Sequence, residues 1–362
     1  MEAKDNFPDV APGGGRIARA VRPGAALFSR VKFSRPPDDT TAATMTTAAQ
    51  PLIRLTPYQS QAFWKRDQRL FFLSWSRRAR KSTTLCYRAL DSNLEEPGNL
   101  NIVVSCNKAA GAEVLYKQKI AWEDVLKEIA ATWSRALEEL RALESAKPPS
   151  ERRKIDSNID GLNPDDVLEK FDHSKFETKI WHDRTTYSRT KVIAGDPMQA
   201  VGWGGNLLFD EITRTRNLKE VLEAVMPFIA SNPRMWAIFA GTPPPDDAHY
   251  SYELTMPPQD DFAVNPSGTW YTSASGMLCH RVSVDDMAAA GIPQYSLKSG
   301  DPITPDQARE ESFDRTAWDR NFRLKYIAGG ASAFPMVSLR QAMQRGKHTC
   351  RGNQVTDHVV AA

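Results

Sequence analysis

The chain has 362 residues, of which 41% are hydrophobic and 25% are charged, with a formal net charge of +3. This is the composition of a globular protein with a sizeable core, in one large α/β domain or two smaller ones. The small net charge does not indicate a nucleic-acid partner by itself, so such a partner would have to be met by a local basic patch.

The four cysteines are widely separated, at positions 86, 106, 279 and 350, and they form no CxxC pair. This spacing indicates neither a zinc site nor a disulfide framework and favours a reducing cytoplasm. No apolar run approaches the roughly 18 residues of a membrane span, and the N-terminus lacks the apolar segment of a secretory signal. We therefore expect a cytoplasmic protein without membrane contact.

Residues 1–50 are rich in Gly, Pro, Ala and Thr and show no sustained hydrophobic period. This composition predicts a disordered N-terminal extension, for which a basic arm that touches DNA is the alternative. Met45 is a second candidate for the natural start. The folded part is expected to begin near Pro51.

From residue 56 onward, apolar runs of strand length alternate with helical patterns. The predicted strands are LFFLSW (70–75), NLNIVVSCN (99–107), TTYSRTKVIAGD (185–196), NLLFDE (206–211) and RMWAIFAGT (234–242). The predicted helices cover residues 56–67, 81–93, 108–146, 218–231 and 304–329, and the chain between 243 and 303 is expected to be irregular. Strands separated by helices pair in parallel through right-handed crossovers, so the predicted fold class is α/β with a mostly parallel sheet.

The segment SWSRRARKSTT has the layout of a phosphate-binding loop, because a buried strand leads through a short polar turn into a helix. In such a loop the backbone N–H groups and the helix dipole bind phosphate, Lys81 adds a mobile charge, and the Ser82 hydroxyl holds Mg²⁺. Trp75 and Arg80 stand at the two glycine positions of the usual pattern. The alternative is that RRARK is only a basic surface cluster.

Two acids end the buried strand NLLFDE. Carboxylates at the carboxyl edge of a parallel sheet lie beside the phosphate loop, where Asp210 would hold Mg²⁺ and Glu211 would orient and deprotonate the attacking water. A plain polar turn is the alternative. Thr242, after the fourth apolar strand, can contact the γ-phosphate, and Gln59 can hydrogen-bond adenine, although each is also explained as an ordinary turn or surface residue.

Taken together, LTPYQ, SRRARKSTT, IVVSCNKAAGAEVL, VIAGDPMQAVGWGGNLLFDE and FAGTP resemble the ATPase half of a tailed-phage terminase large subunit, the DNA-packaging motor. The resemblance covers about residues 52–335 and implies a P-loop NTPase of the RecA/ASCE type that uses ATP and Mg²⁺. It also implies a motor that translocates double-stranded DNA into a procapsid, a homo-oligomeric ring, and portal and small-subunit partners in a bacterial host cytoplasm. The residues it assigns to nucleotide or to catalysis are Gln59, Ser76, Arg77, Arg78, Lys81, Ser82, Thr83, Asp210, Glu211 and Thr242.

The sequence also departs from that family. Arg80 replaces the glycine before the lysine, and Val201 stands where an arginine is usual. Only 27 residues follow Pro335, so the C-terminal nuclease of such subunits is not expected. The expected domains are a terminase-like ATPase at 51–335 and a short tail at 336–362. The ATPase would contain a helical insertion at about 121–166 and a lid or linker at about 245–335.

Two other functions remain open. One is a degenerate or truncated prophage remnant that binds nucleotide or DNA without productive hydrolysis, which Arg80 and the short tail favour. The other is a helicase-type ATPase, although the remainder of the chain is short for a second RecA-like domain.

Overall fold

The computed structural model describes residues 54–146, 148 and 171–327. Its strands are β1 (Leu70–Trp75), β2 (Leu100–Ser105), β3 (Phe171–Ser174), β4 (Glu177–Trp181), β5 (Tyr187–Ala194), β6 (Asn206–Asp210), β7 (Ala237–Gly241), β8 (Thr269–Thr272), β9 (Leu278–Val282), β10 (Gln294–Tyr295) and β11 (Pro302–Ile303). Its helices are α1 (Pro57–Phe63), α2 (Lys81–Glu95), α3 (Lys108–Ser145), α4 (Pro197–Ala200), α5 (Leu218–Val225), α6 (Pro227–Ala230), α7 (Tyr250–Thr255), α8 (Val284–Ala289), α9 (Pro305–Glu310) and α10 (Arg315–Phe322), with a 3-10 turn at Ile212–Arg214.

A nine-stranded sheet organises the molecule, in the order β3-β4-β5-β2-β6-β7-β1-β9-β8. The strands from β5 to β9 in that order are parallel, and β3, β4 and β8 pair antiparallel at the two sides. The predicted fold class, α/β with a mostly parallel sheet, is confirmed. One strand, β7, lies between β1, which precedes the loop that leads to Lys81, and β6, which ends in two acids.

The core lies on both faces of this sheet, because successive side chains of each strand point to opposite sides. On one face Leu73 and Val103 pack with residues of α1, α2 and α3, such as Leu85. On the other face Phe72 and Phe209 pack with residues of α5 and α6. Burial on both faces explains why the central strands read as continuous apolar runs.

The register brings the carboxyl ends of the central strands to one edge. Ser105 of β2 pairs with Asp210 of β6, and Ser74 of β1 pairs with Gly241 of β7. The loops that follow β1, β6 and β7 therefore leave the sheet side by side. This edge is where ligands bind in open parallel sheets.

Several elements differ from the sequence-based expectation. The segment 243–303, expected to be irregular, contains β8 and β9, and β9 extends the sheet directly beside β1. Strands β3 and β4 were also not expected. The stretch 304–329, expected to be one helix, holds two short helices, α9 and α10, and the helix expected at 218–231 divides before Pro227. Proline and the polar turn at 311–314 account for these breaks.

Three of the predicted segments lie mostly where the structure has no description, and the predicted domain bounds stay predictions. Residues 1–50, most of the connection 147–170, and the tail 336–362 lie outside the described residues. Helix α3 continues through residue 145, into the region where a helical insertion is expected. Within the described part of the chain, no helix combines the length and the apolar character needed to cross a bilayer.

Candidate functional site

The segment between β1 and α2 is a tight loop. Its backbone is hydrogen-bonded to the end of β9 and to α10, which come much later in the chain. The N–H of Ser76 donates to the carbonyl of Val282 at the end of β9, at 2.7 Å. The N–H of Arg77 donates to the carbonyl of Asn321 in α10, at 2.9 Å. Ser76 is buried, whereas Arg77 and Arg78 are exposed. The path of the loop is thus fixed from outside by two backbone contacts.

Arg80 adopts the backbone conformation for which glycine is favoured. Its φ is 62°, and Arg78 two residues earlier has a φ of 65°. The side chain of Arg80 is exposed, and its carbonyl accepts hydrogen bonds from the N–H and the hydroxyl of Thr84 at 3.0 and 3.1 Å. Arg80 therefore keeps the left-handed turn of a glycine-containing loop, at a cost of roughly 1–2 kcal/mol for the strained φ.

Trp75, at the other glycine position, belongs to the core instead of the loop. It is fully buried, and its indole N–H donates to Nδ1 of His280 on β9 at 3.2 Å. Tyr58 of α1 meets the indole ring edge-on, with ring centroids 5.2 Å apart. Burial lowers the pKa of His280 to about 4, so the ring is neutral and free to accept this bond.

Lys81 opens α2 and is almost completely buried. Its ammonium donates to the carbonyl oxygens of Trp75 and Ser76 at 3.0 and 3.2 Å. It lies 4.0 Å from Oε1 of Glu211. Burial lowers the pKa of Lys81, and the carboxylates of Glu211 and Asp210 oppose that effect. The charge is therefore held between the loop and the end of β6.

Ser82 and Asp210 form a direct pair across the site. The Ser82 hydroxyl donates to Oδ2 of Asp210 at 2.6 Å. Burial and the neighbouring Glu211 raise the pKa of Asp210, while the Ser82 hydrogen bond and Lys81 act against that rise. A hydroxyl and one carboxylate are oxygen ligands that suit Mg²⁺, which usually takes one or two carboxylates together with phosphate oxygens. The donor set therefore fits Mg²⁺.

Glu211 follows with an unusual backbone and two cationic neighbours. Its φ is 52°, and its N–H donates to Oδ1 of Asp210 at 3.1 Å. Oε2 lies 3.6 Å from Nε of Arg214, and Oε1 faces Lys81. Oε2 is buried and has no hydrogen-bond partner in the part of the chain that the structure describes. The charge of Glu211 is thus balanced by two nearby cations, while its Oε2 is not held by a hydrogen bond from any described residue.

Further positive charge lies near Arg77 of the loop. Partial burial lowers the pKa of Arg77, as do the cations Arg214 and, more weakly, Arg320, while Glu211 opposes the shift. These arginines come from the loop, the turn after β6, and α10. Such a cluster of arginines beside Arg77 suits a polyanionic ligand.

Thr242 and Gln59 come from two other parts of the fold. Thr242 is buried directly after β7, and Gly241 before it packs against Thr213. Gln59 is buried in α1, where its Oε1 accepts from the N–H and hydroxyl of Thr56 and its Nε2 donates to Thr84 of α2. The amide of Gln59 thus already serves contacts within the protein, and its adenine-binding role stays a prediction.

The structure brings together the phosphate loop, Lys81, Ser82, Asp210 and Glu211, with the half-buried Thr83 in the first turn of α2. In the described ranges 54–146 and 171–327, no group of three or more His, Cys, Asp or Glu side chains is placed to hold a metal ion. Sequence reasoning did not identify Arg214 or Arg320. The i,i+3 spacing in DEITR is a signal for Arg214, whereas the carbonyls that anchor the loop leave no trace in the sequence.

Neither a protein-family model nor a curated protein sequence matches the chain. Among solved structures, the large terminase ATPase domain of Thermus phage P74-26 is similar at 12% identity with a TM-score of 0.47, over 76% of this chain and 100% of that one. The large terminase of another thermophilic bacteriophage, in complex with ADP, is similar at 11% identity with a TM-score of 0.45, over 75% of this chain. The present chain spans 54% of the length of that second phage protein. These solved structures are phage large terminases or their ATPase domains, the family whose motifs this sequence resembles.

Proposed function

We propose that the chain binds ATP with Mg²⁺ at the carboxyl edge of the sheet and hydrolyses it. The observation that carries this proposal is the meeting of Lys81, Ser82, Asp210 and Glu211 within hydrogen-bond or ion-pair distance of one another. A buried and a half-buried carboxyl group beside a buried ammonium and a hydroxyl are costly to assemble unless a ligand uses them. A triphosphate with its metal is the ligand that matches this set.

Each residue has a distinct task in this proposal. The N–H groups at the start of α2, with Thr83 in its first turn and Ser76 on the other side of the loop, receive the β- and γ-phosphates. Lys81 moves from its loop carbonyls to the phosphate oxygens. Ser82 and Asp210 hold Mg²⁺, which when bound neutralises charge that develops on the phosphates. Arg77 and Arg78, both exposed on the loop, supply further positive charge toward the transition state.

Glu211 is the group that acts on the attacking water. Its carboxylate is half-buried beside Lys81 and can orient a water molecule and accept its proton. Thr242 leaves the sheet next to the phosphate loop and would report the loss of the γ-phosphate to the chain beyond β7. Gln59 would contact adenine once its contact to Thr84 is exchanged for the base.

We further infer that hydrolysis drives a DNA-packaging motor that moves double-stranded DNA by its phosphates into a procapsid. The ordered sequence motifs support this, and a RecA/ASCE-type sheet is the scaffold they require. Translocation of this kind reads backbone charge more than base sequence. A homo-oligomeric ring, a portal and a small subunit are the partners that this role implies.

The test is the rate of phosphate release with ATP, Mg²⁺ and duplex DNA. Lys81→Ala and Glu211→Gln should each lower kcat by at least about 100-fold, because they remove phosphate neutralisation and water activation. Glu211→Gln should still bind a non-hydrolysable ATP analogue, whereas Lys81→Ala should bind it weakly. Lys219→Ala, an exposed lysine of α5, is the matched control. Rates unchanged by both site variants would refute the proposal.

The second candidate is a remnant that binds nucleotide without productive hydrolysis. It is favoured by Arg80, whose side chain occupies a glycine position at a strained φ. Under this alternative, calorimetry with ATP and Mg²⁺ gives a saturating binding signal and no continuous heat. A continuous heat that Glu211→Gln abolishes identifies the hydrolase.

A further inference from the structure

The turn that follows β6 is closed by its own hydrogen bonds and carries an arginine next to Glu211. The N–H of Arg214 donates to the carbonyl of Glu211 at 3.0 Å, and Thr215 closes the turn on Ile212 at 3.1 Å. Ile212 is completely buried, and Thr213 is buried against Gly241 of β7. The position of the Arg214 backbone is therefore set by the core and by the neighbouring strand.

The two oxygens of Glu211 each face a different cation. Lys81 Nζ lies 4.0 Å from Oε1, and Arg214 Nε lies 3.6 Å from Oε2. The two cations differ in their surroundings. Lys81 is buried beside the loop, whereas Arg214 is half-exposed on the turn. The buried Oε2 has no hydrogen-bond partner among the described residues, so a shift of about half an ångström by Arg214 would supply one.

Phosphate binding changes this balance. When Lys81 and Arg77 turn to phosphate oxygens, Glu211 loses the positive charge that they share with it. Asp210, whose charged form has the same sign, lies beside Glu211 and repels its carboxylate. Of the two cations that pair with Glu211 in the described part of the chain, Arg214 is then the one that stays beside it.

Resting on the proposed function, we propose that Arg214 is a positioning residue for hydrolysis. It holds Oε2 of Glu211 through its guanidinium, so that Oε1 faces the attacking water as Lys81 withdraws to the phosphates. Because the turn of Arg214 packs on Gly241, the same contact couples the orientation of Glu211 to the end of β7 and to Thr242. In this way Glu211, which activates the water, is coupled to the segment around Thr242, which responds to the γ-phosphate.

A double-mutant cycle tests this role. Arg214→Ala should lower kcat by roughly 10- to 100-fold, as expected when a catalytic group loses its orientation, and leave the affinity for a non-hydrolysable ATP analogue within about twofold. Arg214→Lys should restore part of kcat, because it keeps the charge without the guanidinium. In a Glu211→Gln background, Arg214→Ala should change single-turnover phosphate release by less than about twofold, since it acts through Glu211.

The controls separate folding, binding and positioning. Arg216→Ala alters an exposed arginine two residues further on and should leave kcat unchanged. Circular dichroism and thermal unfolding verify that the Arg214 variants are folded, as expected for a half-exposed side chain. Arg214→Ala that mainly raises KM, or that lowers kcat equally with and without Glu211, would overturn the positioning role.

The outcomes also distinguish this inference from the proposed function. Full activity of Arg214→Ala beside an inactive Glu211→Gln overturns the inference and leaves ATP hydrolysis by this site intact. An unaltered rate in Glu211→Gln, or no hydrolysis by the unaltered chain, overturns the proposed function and the inference with it.

Discussion

The hydroxyl of Ser82 and the carboxylate of Asp210, 128 residues apart in the chain, meet at 2.6 Å. This bond joins the first turn of α2 to the end of β6, and it brings two oxygen ligands of different origin to one point. Asp210 is deeply buried, so the hydroxyl is one of the contacts that make its charged form tolerable. The same pair therefore contributes to the stability of the fold and to the proposed metal site.

Ser82→Ala should separate these two contributions. We expect the free energy of unfolding to fall by about 1–3 kcal/mol, because a buried carboxylate loses a hydrogen-bond donor. We also expect the affinity for an ATP analogue to become insensitive to Mg²⁺, measured by calorimetry with the metal and with a chelator. Ser82→Thr retains the hydroxyl and should preserve Mg²⁺ dependence. Equal Mg²⁺ dependence in Ser82→Ala and the unaltered chain would contradict the assignment.

Arg80→Gly should stabilise the protein. The left-handed φ of residue 80 costs an arginine roughly 1–2 kcal/mol that glycine avoids, and the greater freedom of glycine in the unfolded chain offsets part of this gain. We therefore expect a net increase of about 1 kcal/mol in the free energy of unfolding, measured by denaturant titration. Arg80→Ala keeps the strained φ and is the matched control. A glycine variant no more stable than the alanine variant would disprove the strain at this position.

His280 should make stability depend on pH in a defined window. Its pKa is about 4 in the fold and 6.5 in the unfolded chain, so the unfolded state binds the extra proton between these values. The contribution of neutral His280 to the free energy of unfolding is fully present above pH 6.5. It falls by about 3 kcal/mol as the pH decreases toward 4. Burial raises the pKa of Asp91 to about 6. Through Asp91, therefore, a fall in pH over a similar range increases the free energy of unfolding and opposes the effect of His280.

The measurement for His280 is therefore a difference between two proteins. Unfolding free energies from pH 4 to 7 are compared for the unaltered chain and for His280→Phe, which cannot titrate. The loss on acidification should be smaller in the variant. Parallel curves would show that His280 does not contribute to acid sensitivity.

Gly241→Ala should disturb the contact between the turn after β6 and the end of β7. A Cβ at position 241 would lie 2.9 Å from Cγ2 and 3.2 Å from Oγ1 of Thr213. We expect a loss of about 1–3 kcal/mol from overpacking, measured by thermal unfolding. Thr213→Ser removes the clashing methyl group and should rescue part of that loss. Gly204→Ala, with open space around the Cβ, is the control and should be nearly neutral.

The central sheet was predictable because its strands are buried on both faces. β1, β2, β6 and β7 are runs of apolar residues bounded by polar turns, and such runs leave few alternatives. β8 and β9 were missed because they are short and mix polar with apolar residues, as in TWYT and LCHRV. Their strand character depends on pairing with each other and with β1, and no local pattern encodes that pairing.

The candidate site, like the sheet, was predictable only in part. The spacing of Lys81 and Ser82 behind a strand, and of Asp210 and Glu211 at the end of another, indicated which side chains meet. The anchoring of the loop could not be predicted, because backbone carbonyls of Val282 and Asn321 carry no side-chain signature. The same holds for Trp75, which reads as a defect of the glycine pattern until its indole is found in the core against His280.

Two backbone hydrogen bonds connect the loop between β1 and α2 to two segments far along the chain, the end of β9 and helix α10. Ser76 is fastened to Val282 and Arg77 to Asn321, so displacement of either late segment pulls on the loop. Each bond is worth only about 1 kcal/mol net, which is little enough for a change of ligand to break and re-form. In the proposed function, a movement of the segments around Val282 and Asn321 would therefore change how tightly the loop binds phosphate, and phosphate binding that changes the loop would in turn move those segments.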